Sequence, residues 1–536
     1  MKKSIRKLAA LILALALGMA LLTGCTGDGK QDESKALETT AKADSGEKED
    51  ADTKADEGQS EEQPAGSDLP EETITMYLLG NKGDNFDEAY GKINEILKEK
   101  INTTVNVQWI GWGEGNKYSL LFSSGEDFEM IFTASQWGNY ENTVALGGFA
   151  ELTEEMLQKY APDVWEQWPA EAWQQAKING KIYMIPANYV EVNQDVVAIR
   201  GDLMKKYGYD NIDSYDKLLS FYEDCYKDGM YGNSVGAASV YWLMFEHLGM
   251  YAMGGTPCQG QLVLYNCKDP KDLSYTYVLE WQPFIDYCHK MKELADAGCW
   301  PSDVLNTTSE RQDGLVSGRG ATMVWNAGSC QIYANQANAE HPDWEINLYN
   351  IMPECKYRAT RYVNGGVGFN AASKKLDRAL MVYNEFATNP EIQNLAQLGI
   401  EGVNYINVGD GTYKSTGNDF GGGSFWGWRN MNIMLKTYYE NPTPVDLKVE
   451  ELDKFFKENL YETHLLDSFT FNTEPVATQV AAVDAVQSTY FDPLINGLVE
   501  DVDATIEEFK AALDYAGMQD ILAELQKQID EYKAAN

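Results

Sequence analysis

The feature that most constrains the fold is an alternation of β-rich apolar runs with amphipathic helical patterns. Residues 73–79 (TITMYLL) form an apolar run rich in β-branched residues, and apolar residues then recur at helical spacing over 86–101. Residues 103–110 (TTVNVQWI) alternate as a half-buried strand does. Strand, helix and strand in this order predict an α/β fold with helices on the faces of a mostly parallel sheet.

The alternation continues along most of the chain. Further strands are predicted at 128–135, 321–326 and 346–352, an extended stretch at 181–200, and helices at 153–168, 213–228 and 374–388. The C-terminal residues predict two helices separated at Gly517, because glycine is the usual residue just after a helix end. The length suits one large two-lobed body or two to three domains.

The amino terminus has the pattern of a secretory signal. Four positive charges lie in residues 1–7, and residues 8–22 contain no charged residue. The apolar run is shorter than the roughly 20 residues that a membrane-spanning helix needs. It ends in Leu-Thr-Gly-Cys at 22–25, which resembles the bacterial lipobox. The resemblance implies removal of residues 1–24 and lipid attachment at Cys25, with acyl chains such as palmitate. An ordinary cleaved signal and an N-terminal membrane helix are the alternatives.

Residues 25–72 predict a disordered acidic tether after this cysteine. Asp, Glu, Lys, Ser, Gly and Ala dominate it, and residues 26–70 contain no aromatic residue, so it cannot bury enough apolar surface to offset ordering entropy.

The formal net charge is -39, and removing residues 1–24, with four positive charges and no acids, leaves -43. Nucleic acid and anionic lipid headgroups are therefore not expected as partners, since binding phosphates needs clustered Lys and Arg.

The cysteines and histidines give no support for a metal site or a cofactor. Seven cysteines follow Cys25, which is an odd number, and they are Cys225, Cys258, Cys267, Cys288, Cys299, Cys330 and Cys355. No C-x-x-C spacing occurs, and the four histidines are scattered along the chain. Buried free thiols are the favoured interpretation. A disulfide between Cys258 and Cys267 stays open.

Four stretches together resemble a known family. They are FEMIFTASQWGNYENTVALGGFAELTEE, IPANYVEVNQDVVAIRGDLMKKYG, SGRGATMVWNAGS, and NLAQLGIEGVNYINVGDG followed much later by AGMQDILAELQKQIDEYK. Their order and spacing are similar to those of the extracellular solute-binding lipoproteins of carbohydrate-type ABC importers, in particular the long Gram-positive members related to family 1. The resemblance spans residues 73–533.

The resemblance implies a fold and a division of the chain. The expected fold class is α/β, a two-lobed periplasmic-binding-protein-like fold with a ligand cleft and hinge-crossing segments. Lobe 1 is expected to contain 73–190 and 353–395, and lobe 2 to contain 191–352 and 396–536.

It also implies a function without chemistry of its own. An extracytoplasmic binder of this kind captures an oligosaccharide by hinge closure and delivers it to ABC permease subunits. The protein is then expected to be a monomer, lipid-anchored on the extracellular face of a Gram-positive cell membrane. Binding of peptides or another polar solute, a surface-tethered glycoside hydrolase, and delivery to a sensor kinase remain alternatives.

Candidate ligand contacts lie where the predicted strands end, which is where open α/β sheets bind ligands. Aromatic rings stack on sugar faces, while amides and carboxylates bind hydroxyl groups. The candidates are Asn81, Lys82, Asp84, Gln136, Trp137, Tyr189, Glu191, Trp325, Asn326, Trp426, Trp428 and Arg429. Gly232–Gly236 (GNSVG) fits the G-x-S-x-G nucleophile elbow around Ser234, but it follows a predicted helix instead of a strand, which argues against acyl hydrolysis.

Overall fold

The computed structural model describes residues 69–111, 114–135, 137–192, 194–306, 311–418, 420 and 422–535. The predicted signal peptide, Cys25, the tether as far as residue 68 and Gln136 lie outside the described residues. Within the described ranges, no helix is both long and apolar enough to cross a membrane.

Sixteen strands and eighteen α-helices are distributed along the described residues. The strands are β1 (Glu72–Leu79), β2 (Thr103–Ile110), β3 (Met130–Thr133), β4 (Lys177–Ile178), β5 (Lys181–Ile182), β6 (Met184–Pro186), β7 (Asp195–Ile199), β8 (Met250–Ala252), β9 (Val263–Asn266), β10 (Thr276–Tyr277), β11 (Thr322–Asn326), β12 (Asn347–Tyr349), β13 (Gly366–Phe369), β14 (Tyr405–Gly409), β15 (Thr412–Ser415) and β16 (Lys436–Thr437). The helices are α1 (Phe86–Ile101), α2 (Gly115–Ser123), α3 (Tyr140–Ala145), α4 (Glu154–Tyr160), α5 (Pro162–Gln167), α6 (Ala170–Gln175), α7 (Gly201–Tyr207), α8 (Tyr215–Lys227), α9 (Ala238–His247), α10 (Gln282–Ala297), α11 (Arg311–Val316), α12 (Ala327–Glu340), α13 (Leu376–Thr388), α14 (Pro390–Leu398), α15 (Pro444–Glu458), α16 (Ala477–Ile495), α17 (Val502–Ala516) and α18 (Met518–Ala535).

Lobe 1 is built on a five-stranded sheet with the order β2-β1-β3-β13-β6. Strand β1 is parallel to β2 and β3, whereas β13 is antiparallel to β3 and β6. The predicted strand–helix–strand opening is confirmed by β1, α1 and β2. Ala89, Ile93 and Leu97 are buried at four-residue intervals along α1, which gives the helix an apolar stripe against the core.

Lobe 2 departs from the expected parallel arrangement. Its strands form two three-stranded sheets, β11-β7-β12 and β10-β9-β8, and every pairing in them is antiparallel. Strands β7 and β11 are separated in the chain by five helices and three other strands, so they do not form a simple strand–helix–strand unit, which is the usual source of parallel pairing. The prediction of a mostly parallel sheet is therefore wrong for this lobe.

The C-terminal helices α16, α17 and α18 complete the larger core of lobe 2. Ile506, Phe509 and Ile521 are buried in the same cluster as residues of β8 and β9. Helix α17 ends at Ala516, Gly517 has φ 101°, and α18 begins at Met518. The predicted helix break at Gly517 is confirmed, since this left-handed conformation favours glycine.

The chain leaves lobe 1 later than the sequence predicted. Ile400, Phe420, Phe425 and Trp428 pack in the lobe 1 core, although 396–536 was expected to form part of lobe 2. The reason is that the segment after α14 folds back onto β13 instead of crossing. By the packing of their cores, lobe 1 contains residues 69–185 and 362–428, and lobe 2 begins again at α15.

Three segments cross between the lobes, and hydrogen bonds connect them. Asn188 Nδ2, in the first crossing, donates to Asn430 Oδ1, in the third, at 3.0 Å, and both side chains are buried. The backbone N–H of Thr360, in the segment that links lobe 2 back to lobe 1, donates to the carbonyl of Glu191 at 2.9 Å. The expected two-lobed α/β fold with crossing segments is confirmed.

All seven cysteines from Cys225 to Cys355 are unpaired, and six of them are buried. The disulfide between Cys258 and Cys267 that the sequence left open is therefore not formed. Burial raises the pKa of these thiols, so they behave as small apolar side chains. Among the described residues, no cluster of His, Cys, Asp and Glu has the arrangement of a metal site.

Candidate ligand-binding cleft

Trp137 lies at the edge of lobe 1 where β1, β2 and β3 end. Its side chain is 40% exposed, a large fraction for a tryptophan in a concave region. The indole Nε1 donates to Asn364, which lies in lobe 1 just after the second crossing, with both the backbone oxygen and Oδ1 at 3.2 Å. The ring borders a pocket of about 160 Å³ lined by Tyr77, Leu78, Leu79, Ile110, Gly111, Tyr118, Ile131, Phe132, Trp137, Gly138 and Asn139. Open α/β sheets bind ligands at such strand ends.

A second tryptophan joins Trp137 because of the local sequence Trp-Gly-Trp at 426–428. The ring of Trp426 lies 6.4 Å from that of Trp137, in an edge-to-face arrangement. Gly427 approaches β13 so closely that a Cβ atom there would lie 2.5 Å from the carbonyl oxygen of Gly366. Only glycine fits at position 427 for this reason. The tryptophans on either side of it have different neighbours.

Trp428 is a correction to the sequence-based set. Its side chain is completely buried in the lobe 1 core, where its ring stacks on Phe425 with centroids 5.8 Å apart. Its backbone carbonyl accepts a hydrogen bond from Gln393 Nε2 at 3.0 Å. A ligand in the cleft cannot reach it, because its ring is enclosed by the lobe 1 core.

Arg429 lies between Trp426 and Tyr189 of the first crossing segment. Its guanidinium lies 4.9 Å from the ring centre of Tyr189 and 5.7 Å from that of Trp426. The Tyr189 hydroxyl donates to Glu191 Oε2 at 3.0 Å. Burial lowers the pKa of Arg429, while Tyr189 and Glu191 act in the opposite direction. Five of the predicted site residues thus come together: Trp137, Tyr189, Glu191, Trp426 and Arg429.

Trp325 and Asn326 lie on the lobe 2 side of the crossings, at the end of β11. The next residue, Ala327, donates its backbone N–H to the carbonyl of Gln194 at 3.0 Å, which places this end beside the first crossing segment. The Trp325 ring has the Arg311 guanidinium at 4.4 Å and the Tyr333 ring, nearly parallel, at 6.2 Å. Asn326 Oδ1 accepts from the backbone N–H of Ser329 at 2.8 Å and so caps α12. The Oδ1 atom of Asn326 is therefore already used to cap the helix.

Asn81, Lys82 and Asp84 lie in the loop between β1 and α1, and all three are exposed. Lys82 Nζ forms an ion pair with Asp87 Oδ2 at 2.7 Å. The loop follows Leu79, which lines the pocket beside Trp137. The structure therefore places these three residues on the exposed loop after β1 and does not bring them into the five-residue cluster.

The base of the cleft contains charged residues that the sequence analysis missed. A cavity of about 170 Å³ is lined by Ser135, Gln194, Glu246, Tyr251, Arg358, Ala359, Thr360, Arg361, Val363 and Asn364. Arg358 forms an ion pair with Asp467 at 3.2 Å and donates to the hydroxyl of Tyr265. Although burial opposes it, the neighbouring Tyr265 hydroxyl and Asp467 carboxylate raise the pKa of Arg358. The available sequence signal was Arg-Ala-Thr-Arg at 358–361, two arginines in a crossing segment.

The pKa values of two neighbouring acidic residues are raised, those of Glu246 in the cavity lining and of Asp195 next to it. Burial raises the pKa of Glu246 to about 8, and the neighbouring Asp195 carboxylate raises it further. Burial also raises the pKa of Asp195, an effect that the charge of Arg311 opposes. At neutral pH Glu246 is therefore a hydrogen-bond donor as well as an acceptor.

Stability is expected to fall as the pH rises from about 4.5 to about 8. The folded protein holds a proton on Glu246 that the unfolded chain releases near its ordinary value of 4.5. This contribution is complete below that value and is lost as the pH rises through about 8. Thermal unfolding across this pH range should show a flatter profile for Glu246→Gln. The exposed Glu508→Gln serves as the control, and an equally steep profile in both variants would contradict the assignment.

Ser234 does not form a nucleophile elbow. The Gly232–Gly236 segment connects α8 to α9, and the Ser234 side chain is buried. A nucleophile elbow instead holds its serine exposed on a turn from strand to helix. The structure agrees with the sequence argument against acyl hydrolysis at this position.

Known proteins resemble the chain in sequence and in fold. A carbohydrate ABC transporter substrate-binding protein of Streptococcus pneumoniae serotype 4 is 27% identical over 98% of this chain and 97% of its own length. The profile of a domain of unknown function, DUF3502, matches residues 465–534, which contain α16, α17 and most of α18.

Solved structures show the same fold. The N-glycan transport solute-binding protein NgtS of Streptococcus pneumoniae, solved with Man5GlcNAc, is 23% identical and aligns with a TM-score of 0.65 over 86% of this chain and 98% of its own. The alginate-binding protein AlgQ2 is 14% identical and aligns with a TM-score of 0.63 over 87% of this chain and 99% of its own. The resemblance that the sequence motifs indicated, to the solute-binding proteins of carbohydrate-type ABC transporters, is confirmed, and the chain has their two-lobed α/β fold.

Proposed function

We propose that this protein is an extracytoplasmic solute-binding protein that captures an oligosaccharide between its lobes and delivers it to an ABC importer. The cluster of Trp137, Trp426, Tyr189, Glu191 and Arg429 is the observation that carries the proposal. It joins two indole rings to charged and hydroxyl groups where parallel strands end. Such a combination suits sugars, whose rings have apolar faces and polar edges.

Closure of the lobes would complete the site. Trp137 and Trp426 belong to lobe 1, Tyr189 and Arg429 to the crossing segments, and Trp325 to lobe 2. A ligand that contacts all three parts favours the closed state by its extra contacts there. Permease subunits in the membrane would then recognise the closed protein. The S. pneumoniae relative, named as a carbohydrate substrate-binding protein, supports this role.

A binding oligosaccharide should raise the thermal unfolding temperature of residues 69–536. At about 100 times its dissociation constant, a ligand adds roughly 2.7 kcal/mol of stability. We would screen neutral and acidic oligosaccharides, peptides and amino acids, and measure affinities of the hits by calorimetry. A response to peptides alone would keep the fold and replace the ligand class.

The same samples separate a binder from a hydrolase. A solute-binding protein should return its oligosaccharide intact, so chromatography after overnight incubation should recover the starting material. Shortened products would instead favour a surface-tethered glycoside hydrolase, whose two catalytic carboxylates need only lie about 5 to 10 Å apart.

The amino-terminal sequence supports a position beside the transporter. Cys25 is the proposed site of lipid attachment, and the acidic residues after it would tether the protein to the extracellular face of the membrane. A single copy would dock on the permease subunits, so the protein is proposed to be a monomer. Mass spectrometry of the mature amino terminus checks the lipid, and an unmodified terminus elsewhere than Cys25 would refute it.

A further inference from the structure

The cavity at the base of the cleft contains a buried arginine with two unpaired nitrogen atoms. Arg361 is 7% exposed, and its Nε and Nη2 atoms have no hydrogen-bond acceptor among the described residues. Its neighbour Arg358 lines the same cavity but is paired with Asp467 and Tyr265. Arg358 therefore has a counter-charge and hydrogen-bond acceptors within the fold, whereas two nitrogen atoms of Arg361 lack an acceptor among the described residues.

We infer that Arg361 binds a carboxylate of the captured oligosaccharide, so that the substrate class is acidic sugars. The inference rests on the proposed function, because the cavity is treated as the inner part of the sugar site. A guanidinium group presents parallel N–H donors that match a carboxylate, and such charged hydrogen bonds are stronger than neutral ones. Neutral hydroxyl groups could accept from Arg361 but would leave its charge uncompensated in a buried place.

The position of the cavity connects it to the aromatic cluster. Asn364 lines the cavity and also accepts the hydrogen bond from Trp137 Nε1. Since its Oδ1 is used in this way, the amide NH₂ of Asn364 is a donor available to a ligand. A sugar ring at Trp137 could therefore direct a carboxylate substituent past Asn364 toward Arg361.

The acidic groups near Arg361 leave room for an anion. The Glu141 carboxylate accepts from the Ser135 hydroxyl at 2.5 Å and affects Arg361 less than Asp467 does. Asp467 is already paired with Arg358. Burial raises the pKa of Glu246 to about 8, so this side chain is mostly neutral at pH 7 and can donate to a bound carboxylate. Repulsion at close range is therefore small, despite the strongly negative chain.

An unpaired buried charge has a second consequence, which makes the inference testable without any ligand. Burying an uncompensated cation costs stability, and an apolar side chain of similar length removes that cost. Arg361→Met is thus expected to unfold at a higher temperature than the unchanged protein when no ligand is present. A structural arginine would give the opposite sign.

The experiment uses uronate- and sialate-containing oligosaccharides, each paired with its carboxyl-reduced form. Calorimetry should show at least about tenfold tighter binding of the acidic member to the unchanged protein, which corresponds to one charged hydrogen bond. This preference should disappear in Arg361→Met and persist in Arg319→Met, which replaces an exposed arginine. Arg361→Lys, which keeps the charge but loses the planar fork, should retain only part of it and serves if the methionine variant fails to fold.

Three outcomes would overturn the inference. Equal affinity for acidic and reduced oligosaccharides would refute it while leaving the proposed function intact. Equal weakening of both by Arg361→Met would assign Arg361 to lobe closure instead. Binding of no oligosaccharide by the unchanged protein would refute the proposed function itself, and the inference with it.

Discussion

Replacing Trp137 with alanine is expected to weaken oligosaccharide binding by about 30-fold, or roughly 2 kcal/mol, as for a central aromatic contact residue. The indole is 40% exposed beside the pocket at the ends of the parallel strands, and Asn364 holds its orientation through Nε1. A ring held in place before the ligand arrives loses little entropy on binding. Calorimetry with the tightest ligand from the screen measures the effect.

The control for this variant is Tyr515→Ala on α17. Tyr515 is 90% exposed, so its loss should change neither affinity nor the unfolding temperature beyond error. Trp137→Ala should itself alter the unfolding temperature of the ligand-free protein only slightly, since so much of the ring is in solvent. Unchanged affinity in a folded Trp137→Ala protein would remove Trp137 from the proposed site.

Replacing Asp467 with asparagine is expected to lower the free energy of unfolding by about 3 kcal/mol, the lower part of the range for breaking a buried ion pair. The carboxylate pairs with Arg358 at 3.2 Å and accepts from the Tyr265 hydroxyl at 2.5 Å and the His464 backbone N–H at 2.9 Å. Asparagine retains the shape but leaves Arg358 without its counter-charge. Urea unfolding of both proteins measures the difference.

Asp453→Asn on α15 provides the matched comparison. Asp453 pairs with Lys457 one helical turn away, and both side chains are about half exposed. Exposed pairs of this spacing contribute only about 0.3–0.5 kcal/mol. If the two variants lose equal stability, the Arg358–Asp467 pair is no more important than a surface pair, and the account of the cavity charges given above is wrong.

The limits of individual helices and strands could be predicted, because they depend on residues that are close together in the chain. Helix α1 has the predicted limits because an apolar stripe runs between two asparagines in left-handed conformation, Asn85 with φ 59° and Asn102 with φ 47°. Strand pairing in lobe 2 was not predictable in this way, because β7 and β11 are far apart in the chain. The return of residues 400–428 to lobe 1 likewise depends on contacts with β13.

The same distinction applies to the site. Trp137 was a candidate because it follows a predicted strand, Tyr189 because it lies on the predicted crossing stretch, and Arg429 because it lies in the loop that contains Trp426 and Trp428. Trp428 was misassigned, since only its packing against Phe425 separates it from Trp426, two residues earlier. The charged cavity was missed because its ion pair joins Arg358 to Asp467, more than a hundred residues later.

The position of β13 has a consequence for how the protein folds. This strand pairs with β3 on one side and β6 on the other, so the lobe 1 sheet is interrupted until β13 is in place. Most of lobe 2 lies between β6 and β13 in the chain, and lobe 2 in turn needs α15 to α18 from the C-terminal end. Such long-range pairing slows folding, because the entropy of closing a large loop opposes it first. Each lobe must therefore remain incomplete until the other is largely synthesised, and the two should form late and cooperatively.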